Sequence, residues 1–235
     1  MTQSHKRYWF RWRCCLLAMA MVPPLVLGRG DYNLATIEQI GGENSVWLAQ
    51  NGGMNRAEIS QIGQQHWLRV GQQGADNSVS VRQSAENDLE SNGSRGQVNQ
   101  IGDDNSATVV DYGQHNRFFI EQFQLGNQAD LSMRGSDNSV DVSQIGSNQS
   151  WQAAVAGNNN LLWLVQVGDD NQAEMMVVGN QNQISLSQNG HDDAASTRVN
   201  GDNNNIVIRQ NGDFLDYGLE LTGSNRAISV TQNGF

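Results

Sequence analysis

Residues 30–41 read GDYNLATIEQIG, and this stretch contains the unit from which the chain is built. It begins and ends in glycine, Asn33 follows three residues after the first glycine, and two apolar residues and then Gln39 alternate with more polar residues. Glutamine is an unusual residue at the end of an apolar alternation, because a buried amide needs hydrogen-bonding partners. The recurrence of this glutamine along the chain therefore calls for a structural explanation.

Glycine recurs at intervals of eleven residues along most of the chain. Steps of eleven from Gly30 reach glycine at seventeen of nineteen positions, with one phase slip between Ala85 and Gly102. Asparagine lies three residues after most of these glycines, apolar residues lie five and seven residues after them, and glutamine precedes the next glycine by two residues in twelve of eighteen cases. The unit is G-x-x-N-x-Φ-x-Φ-x-Q-x, where Φ is apolar. A fixed period of this kind is the signature of stacked repeats.

The asparagine, the two apolar residues and the glutamine share parity, so in an extended strand all four point to one face. Arginine, aspartate, glutamate and serine between them are typical of a solvated face. We expect strands of about five residues, closed by turns in which glycine supplies positive φ and asparagine tolerates it. The sequence predicts an all-β fold, a two-sheet cross-β solenoid whose strand-turn-strand coils of 22 residues are built from 11-residue half-repeats, with about nine coils over 30–235.

The recurring glutamines predict ladders along the stack. Beyond Gln100 glutamine returns strictly every 22 residues, once per coil. A glutamine stacked on an identical glutamine can donate to one neighbour and accept from the other, as can asparagine. The predicted assembly ladder comprises Gln39, Asn44, Gln50, Asn55, Gln61, Gln100, Asn105, Gln122, Gln144, Gln166, Asn171, Gln188, Gln210 and Gln232. The predicted turn glycines are Gly41, Gly52, Gly63, Gly102, Gly146, Gly168, Gly190 and Gly212.

The first 28 residues differ from the rest. Four basic residues lie within 6–13, the apolar run CCLLAMAMV follows at 14–22, and Gly28 offers a cleavage point, with Ala18–Ala20 as an earlier alternative. This order is typical of a secretory signal peptide, whose removal takes away both cysteines and hence any disulfide. The predicted organisation is a signal peptide at 1–28, N-terminal repeats at 29–87, an irregular loop or defective coil at 88–97 and C-terminal repeats at 98–235.

Charge and spacing argue against several classes of function. From residue 30 onward nine arginines face 24 acidic residues, a formal charge of −15, which argues against a nucleic-acid partner and against adsorption to anionic lipid. Asp130 and Asp141 share an outward column one unit apart, as paired catalytic carboxylates would, yet a solvated face explains them equally well. His66, His115 and His191 occupy different slots of the unit. We therefore predict no enzyme activity and no catalytic, metal-binding or cofactor-binding residues.

Four segments resemble the curlin repeat, in which serine or alanine, glutamine, glycine, asparagine, alanine and glutamine recur at this spacing. They are NLATIEQIGGEN at 33–44, NRAEISQIG at 55–63, QIGDDNSATV at 100–109 and NSVDVSQIGSN at 138–148. The resemblance implies export through the general secretory path and an outer-membrane secretion apparatus. It also implies extracellular self-assembly into a cell-surface amyloid fibre, a fimbrium or pilus used for biofilm matrix and cell adhesion, together with a companion curlin subunit.

The resemblance leaves open which kind of subunit this is. Glutamine at every eleventh position in the first half resembles the minor, nucleating type, whereas the 22-residue alternation after Gln100 resembles the major type. A further alternative is a monomeric secreted β-solenoid that serves as an adhesin or polysaccharide-binding module. The in-phase ending ISVTQNGF favours polymerisation. Outward aromatic residues could contact surfaces, neighbouring fibres or matrix polysaccharide; they are Trp47, Trp67, Phe119 and Trp163.

Overall fold

The computed structural model describes residues 9–13, 25–84 and 93–234, and every regular element within them is a β-strand. The strands form two ten-stranded sheets, here named the odd sheet and the even sheet after their strand numbers, and all neighbouring strands are parallel. The odd sheet contains β1 (Trp9–Arg13), β3 (Leu34–Ile40), β5 (Arg56–Ile62), β7 (Ser78–Ser84), β9 (Ser106–Gln114), β11 (Gln128–Ser136), β13 (Ser150–Ala156), β15 (Gln172–Val178), β17 (Ala194–Asn200) and β19 (Asp216–Thr222).

The even sheet contains β2 (Leu25–Arg29), β4 (Ser45–Asn51), β6 (Trp67–Gln73), β8 (Arg95–Ile101), β10 (Arg117–Phe123), β12 (Ser139–Ile145), β14 (Leu161–Val167), β16 (Gln183–Asn189), β18 (Asn205–Asn211) and β20 (Ala227–Asn233). The chain changes sheet after every strand, so each odd strand and the even strand that follows it make one coil. The pairs from β3–β4 to β19–β20 give nine coils, numbered 1 to 9 from the N-terminal side. The predicted all-β solenoid of 22-residue coils is confirmed.

The inward face of each strand is the one that the sequence predicts. In β5 the side chains of Ala57, Ile59 and Gln61 are buried, whereas Arg56 and Glu58 are exposed. The same alternation recurs in the other strands of coils 1 to 8, and buried side chains from both sheets form one apolar cluster that runs through the stack. The thin core therefore lies between two sheets and is continuous from coil to coil.

The strands are longer than predicted, and the turns use different residues. Most strands have seven residues, and two have nine, instead of about five. Positive φ is found at the turn glycine and two residues later, as at Gly41 and Glu43, whereas Asn44 has its side chain buried and is not in this region. The expectation that the asparagine column tolerates positive φ was wrong, because those side chains are committed to hydrogen bonds inside the corner.

The two bulkiest side chains of the core lie beside small residues of adjacent strands. Trp151 is fully buried, and its partners in the adjacent strands are Ala129 and Ala173. Phe118 is likewise buried beside Gly96 of the neighbouring strand. Since parallel strands are separated by only about 4.8 Å, a wide aromatic ring fits only where the adjacent coil contributes a small residue.

The stack continues across the interruption in the sequence period. Strands β7 and β9 pair with an offset of 28 residues instead of 22, and β8 pairs in register with β6 and β10. Residues 95–97, which the sequence placed in the loop or defective coil, belong to β8, while 85–92 lie outside the described residues. The six additional residues therefore fall between Ser84 and Arg95.

Most of the predicted signal peptide also lies outside the described residues. Its described parts are β1, which pairs with β3, and residues 25–28, which belong to β2 and pair with β4. Within the described segments no helix is long and apolar enough to cross a membrane. Cleavage after Gly28 stays a prediction.

Replacing Gly96 by alanine tests the packing between coils. A methyl group at Gly96 would overlap the ring of Phe118, so we expect Gly96→Ala to lower the free energy of unfolding by about 1–3 kcal/mol. Gly218→Ala is the matched control, because no atom lies within 4 Å of its added methyl group. Urea unfolding followed by circular dichroism measures both. Equal stability of the two variants would contradict the packing described here.

Candidate functional site

An unbroken ladder of glutamine side chains runs through all nine coils of the even sheet. Each amide nitrogen Nε2 donates to the Oε1 atom of the glutamine in the following coil, at 2.8–3.0 Å. The ladder consists of Gln50, Gln72, Gln100, Gln122, Gln144, Gln166, Gln188, Gln210 and Gln232. All its bonds point the same way, so the ladder has a donor end and an acceptor end.

The same amide nitrogens also join the two sheets within each coil. Gln122 Nε2 donates to the carbonyl oxygen of Ser106 at 2.9 Å, and Gln210 Nε2 donates to that of Ala194 at 2.9 Å. Gln232 makes the equivalent bond to Asp216 at 3.1 Å. Each of the eight earlier glutamines donates its second amide hydrogen to the glutamine of the next coil. Within the described chain, Gln232 has no next coil to which it can donate, so the donor end of the ladder is at coil 9.

The ladder of the odd sheet is short. Gln39 donates to Gln61 at 2.8 Å, and Gln61 donates to Gln83 at 2.9 Å. The column then continues as Asp111, Met133, Val155, Val177, Val199 and Leu221. The 22-residue alternation of glutamine beyond Gln100 therefore reflects two different sheets, one with an amide column and one whose column becomes apolar.

Asp111 lies where the odd ladder ends. It follows Gln83 in the column, and the Nε2 atom of Gln83 is buried without a hydrogen-bond partner among the described residues, because aspartate is one methylene shorter than glutamine. Asn116 donates to Asp111 Oδ1 at 2.6 Å. Burial raises the pKa of Asp111 to about 6 from an ordinary value of 3.8, and the hydrogen bond from Asn116 lowers it in part. Asp111 is thus a buried carboxyl group that releases its proton at a higher pH than an exposed aspartate does.

Asparagine side chains form two further columns, one at each corner of the coil. Asn33 Oδ1 accepts the backbone N–H of Asn55 at 3.0 Å, and Asn33 Nδ2 donates to the carbonyl oxygen of Gly52 at 2.9 Å. The same pair of bonds recurs at the other corner, where Asn138 accepts from Asn160 and donates to Gly157. Each asparagine therefore fixes the turn of the following coil against its own turn.

Glycine in the turns is required by the stacking distance. A Cβ atom at Gly41 would overlap the carbonyl oxygen of Gly63 in the following coil, the same oxygen that Asn44 Nδ2 binds at 2.9 Å. Seven of the eight predicted turn glycines show such an overlap with the backbone of the next coil: Gly41, Gly52, Gly102, Gly146, Gly168, Gly190 and Gly212. Gly63 also has positive φ. A side chain at any of these seven positions would push neighbouring coils apart, whereas Gln124 occupies the same column with positive φ.

The predicted ladder residues divide among four columns. The even ladder contains Gln50, Gln100, Gln122, Gln144, Gln166, Gln188, Gln210 and Gln232, and the odd ladder contains Gln39 and Gln61. The corner before the odd strands contains Asn55, Asn105 and Asn171, and the other corner contains Asn44. The predicted set omitted Gln72, Gln83 and Asp111, although all three lie on the glutamine column of the sequence.

The carboxylates considered for catalysis lie apart. Asp130 is in β11 and Asp141 is in β12, so they lie on opposite outer faces of the solenoid. Consecutive half-repeats belong to different sheets, which is why a shared column in the sequence does not bring the two together. Among the described residues, no group of three or more histidine, cysteine, aspartate or glutamate side chains could hold a metal ion.

Comparison with known protein families agrees with this architecture. The family model described as the curlin associated repeat matches residues 30–63, 92–123 and 157–190, so the chain contains three segments of curlin repeats. The curlin repeat family is structural and non-enzymatic, and it is associated with extracellular curli fibres. None of the curated proteins or solved structures compared with the chain matches it.

Asp111→Asn tests the buried carboxyl group. The pKa of Asp111 is higher in the folded chain than in the unfolded chain, so its protonated form stabilises the fold and this stability is lost as the pH rises from 3.8 to about 6. We expect the asparagine variant to gain about 2 kcal/mol over the unchanged chain between pH 4 and pH 7, which is less than the full equivalent of the pKa shift from 3.8 to about 6, because the carboxyl group of the unfolded chain is already more than half ionised at pH 4.

Urea unfolding at both pH values measures this gain. Asp130→Asn on the outer face is the control, because Asp130 lies outside the core. A difference between Asp111→Asn and the unchanged chain that does not vary with pH would show that Asp111 is not the titrating group.

Proposed function

We propose that this protein is a structural subunit of extracellular curli-like amyloid fibres that serve biofilm matrix and cell adhesion. In this proposal the fibre grows when coil 9 of one copy stacks on coil 1 of the next. The observation that carries the proposal is the even ladder, whose repeat is the same in every coil and whose donor end, among the described residues, lies at Gln232. Identical side chains stacked in register are the basis of cross-β assembly.

The last coil supports the proposal through its half-buried core. Ile206 and Ile208 in coil 8 are fully buried, whereas Leu219, Leu221 and Ile228 in coil 9 are only partly buried. Strands β19 and β20 each have one neighbouring strand in the described chain. Unpaired strand edges beside exposed apolar side chains are a template for another strand, and a further coil would cover both.

The first coil provides a matching surface once the N-terminal strands are removed. Cleavage after Gly28 would remove β1 and all of β2 except Arg29, which are the strands paired with β3 and β4. Stacking in the register of the other coils would then place Gln232 against Gln50 and Tyr217 against the small Ala35. The even ladder would continue from one copy to the next, and a large residue would again face a small one.

The wider proposal follows from the family. The chain is secreted through a signal peptide and an outer-membrane secretion apparatus, forms a cell-surface fibre with itself and with a companion curlin subunit, and uses neither cofactor nor catalytic residue. Its length of nine regular coils supports a role in building the fibre. The unbroken ladder has a donor end at coil 9 and an acceptor end at coil 1, so one copy can stack on the next in either the major or the nucleating role.

Assembly kinetics distinguish these roles. Residues 29–235 are diluted from denaturant and followed by thioflavin-T fluorescence and electron microscopy, with and without preformed seeds. Fibre growth after a lag that seeds abolish indicates a major-type subunit, and growth without a lag indicates a nucleator. A soluble monomer that never forms fibres contradicts the proposal and favours the monomeric adhesin or binding module.

Gln232→Ala tests the donor end of the ladder. The substitution removes the amide that would bind the next copy, and the partly exposed last coil loses little packing. We therefore expect seeded elongation to slow by roughly fivefold to tenfold, which is the equivalent of one hydrogen bond of about 1–1.5 kcal/mol. Gln73→Ala is the control, because Gln73 lies exposed on the outer face of the same sheet. Equal elongation rates for the two variants would contradict stacking through the ladder.

A further inference from the structure

The two outer faces of the solenoid differ in charge. From β4 to β20, the outward positions of the even sheet carry four arginines and two acidic residues, whereas those of the odd sheet from β3 to β19 carry four arginines and six acidic residues. The chain as a whole has a formal charge of −10. The outer face of the even sheet is therefore a positively charged surface on an acidic protein. Such a surface attracts an acidic ligand.

The same face carries a row of aromatic rings. Trp67, Phe119 and Trp163 lie on β6, β10 and β14, which are every second strand of the even sheet. Trp163 is 53% exposed and Trp67 is 39% exposed. Because neighbouring strands are about 4.8 Å apart, the rings follow one another at about 10 Å along the stack. Phe119 and Trp163 share one register column, and Trp67 lies two residues nearer the start of its strand.

Two cavities occupy the gaps between these rings. One of about 330 Å³ lies between Trp67 and Phe119, and one of about 320 Å³ lies between Phe119 and Trp163. Both are lined by Arg117 and Phe119, so they form one groove that runs along the stack. Its other polar lining residues are Arg95, Gln97, Ser139, Asp141, Gln183 and Ser185.

We propose that this groove binds an extended, linear polysaccharide that carries carboxylate groups. Sugar rings present flat C–H faces that stack on aromatic side chains, and the ring spacing of about 10 Å, twice the strand spacing, is close to the repeat of an extended β-1,4-linked disaccharide. Arg95 and Arg117 pair with sugar carboxylates, since guanidinium groups bind carboxylates through two parallel hydrogen bonds. Asp141 and the neighbouring serine and glutamine side chains bind sugar hydroxyl groups.

The odd sheet lacks this combination. Its outward strand positions contain one aromatic residue, Tyr112, and Arg82 lies over that ring at 5.6 Å. A cavity of about 430 Å³ on that face is lined by Asp130, Gln152 and Glu174 together with small and apolar side chains. An acidic polysaccharide therefore has one suitable face on this solenoid. The groove belongs to the solenoid itself, so its ligand can be tested whether or not the chain forms fibres.

Biolayer interferometry on the full chain tests the proposal with two probes of equal length, a β-1,4-linked oligomannuronate and a neutral cello-oligosaccharide. We expect the oligomannuronate to bind more tightly and its binding to weaken as salt is added. Replacing Phe119 and Trp163 by alanine together should weaken this binding by roughly tenfold or more, which corresponds to at least about 1.4 kcal/mol. Phe214→Asn is the control, because Phe214 is an exposed aromatic residue in a turn.

The charged part of the groove is tested by Arg95→Gln and Arg117→Gln together. We expect these changes to reduce affinity for the oligomannuronate and to leave affinity for the cello-oligosaccharide unchanged. The proposal is overturned if the oligomannuronate does not bind, if the aromatic variants bind it normally, or if the Phe214 control loses as much affinity. Loss of lateral association between copies, with oligosaccharide binding unchanged, would assign the face to a second copy instead.

Discussion

A buried amide must be hydrogen-bonded, and the rest of this structure depends on how the glutamines meet that requirement. Each glutamine of the even sheet donates to the next coil and accepts from the one before, which is possible only when every coil has the same register. A slip of one residue would turn the inward column outward. The eleven-residue period, the glycine turns and the parallel pairing are all conditions for keeping nine amides in one line.

The odd sheet shows what happens when buried glutamines do not all have a glutamine in the next coil to bind. Its column changes from amide to apolar once, between Gln83 and Met133, and does not change back. Each change of type leaves amide groups without partners, as the Nε2 atom of Gln83 illustrates. A column that alternated between the two types would multiply that cost, because an unsatisfied buried polar group costs about 1–3 kcal/mol. The even sheet therefore specifies register throughout, while the odd sheet contributes apolar packing beyond coil 4.

Much of the fold could be predicted from the sequence, because period and parity are linear properties. The inward columns, the number of coils and the glutamine ladder followed from residues such as Gln39 and Ile59. The position of positive φ did not, since Asn44 serves the corner through its side chain, whereas Glu43 adopts the left-handed backbone conformation. The separation of Asp130 from Asp141 was not predicted either, because it requires knowing that consecutive half-repeats lie in different sheets.

The features that could not be predicted depend on neighbours in different coils. The fit of Phe118 over Gly96 joins residues 22 positions apart, and the groove between Phe119 and Trp163 joins residues two coils apart. The role of Asp111 depends on the residues that enclose it, Asn116 and Ser94, which belong to different turns. These contacts become visible only when the coils are stacked in their actual register across the six-residue interruption.

Cryo-electron microscopy of fibres grown from the exported chain would show whether the copies stack through the glutamine ladder. We expect a subunit repeat of about 43 Å along the fibre axis, nine times the strand spacing, with strands perpendicular to that axis and the even glutamine column continuous from Gln232 of one copy to Gln50 of the next. A fibre whose copies meet side by side, or whose glutamine column is interrupted at every junction between copies, would contradict this expectation.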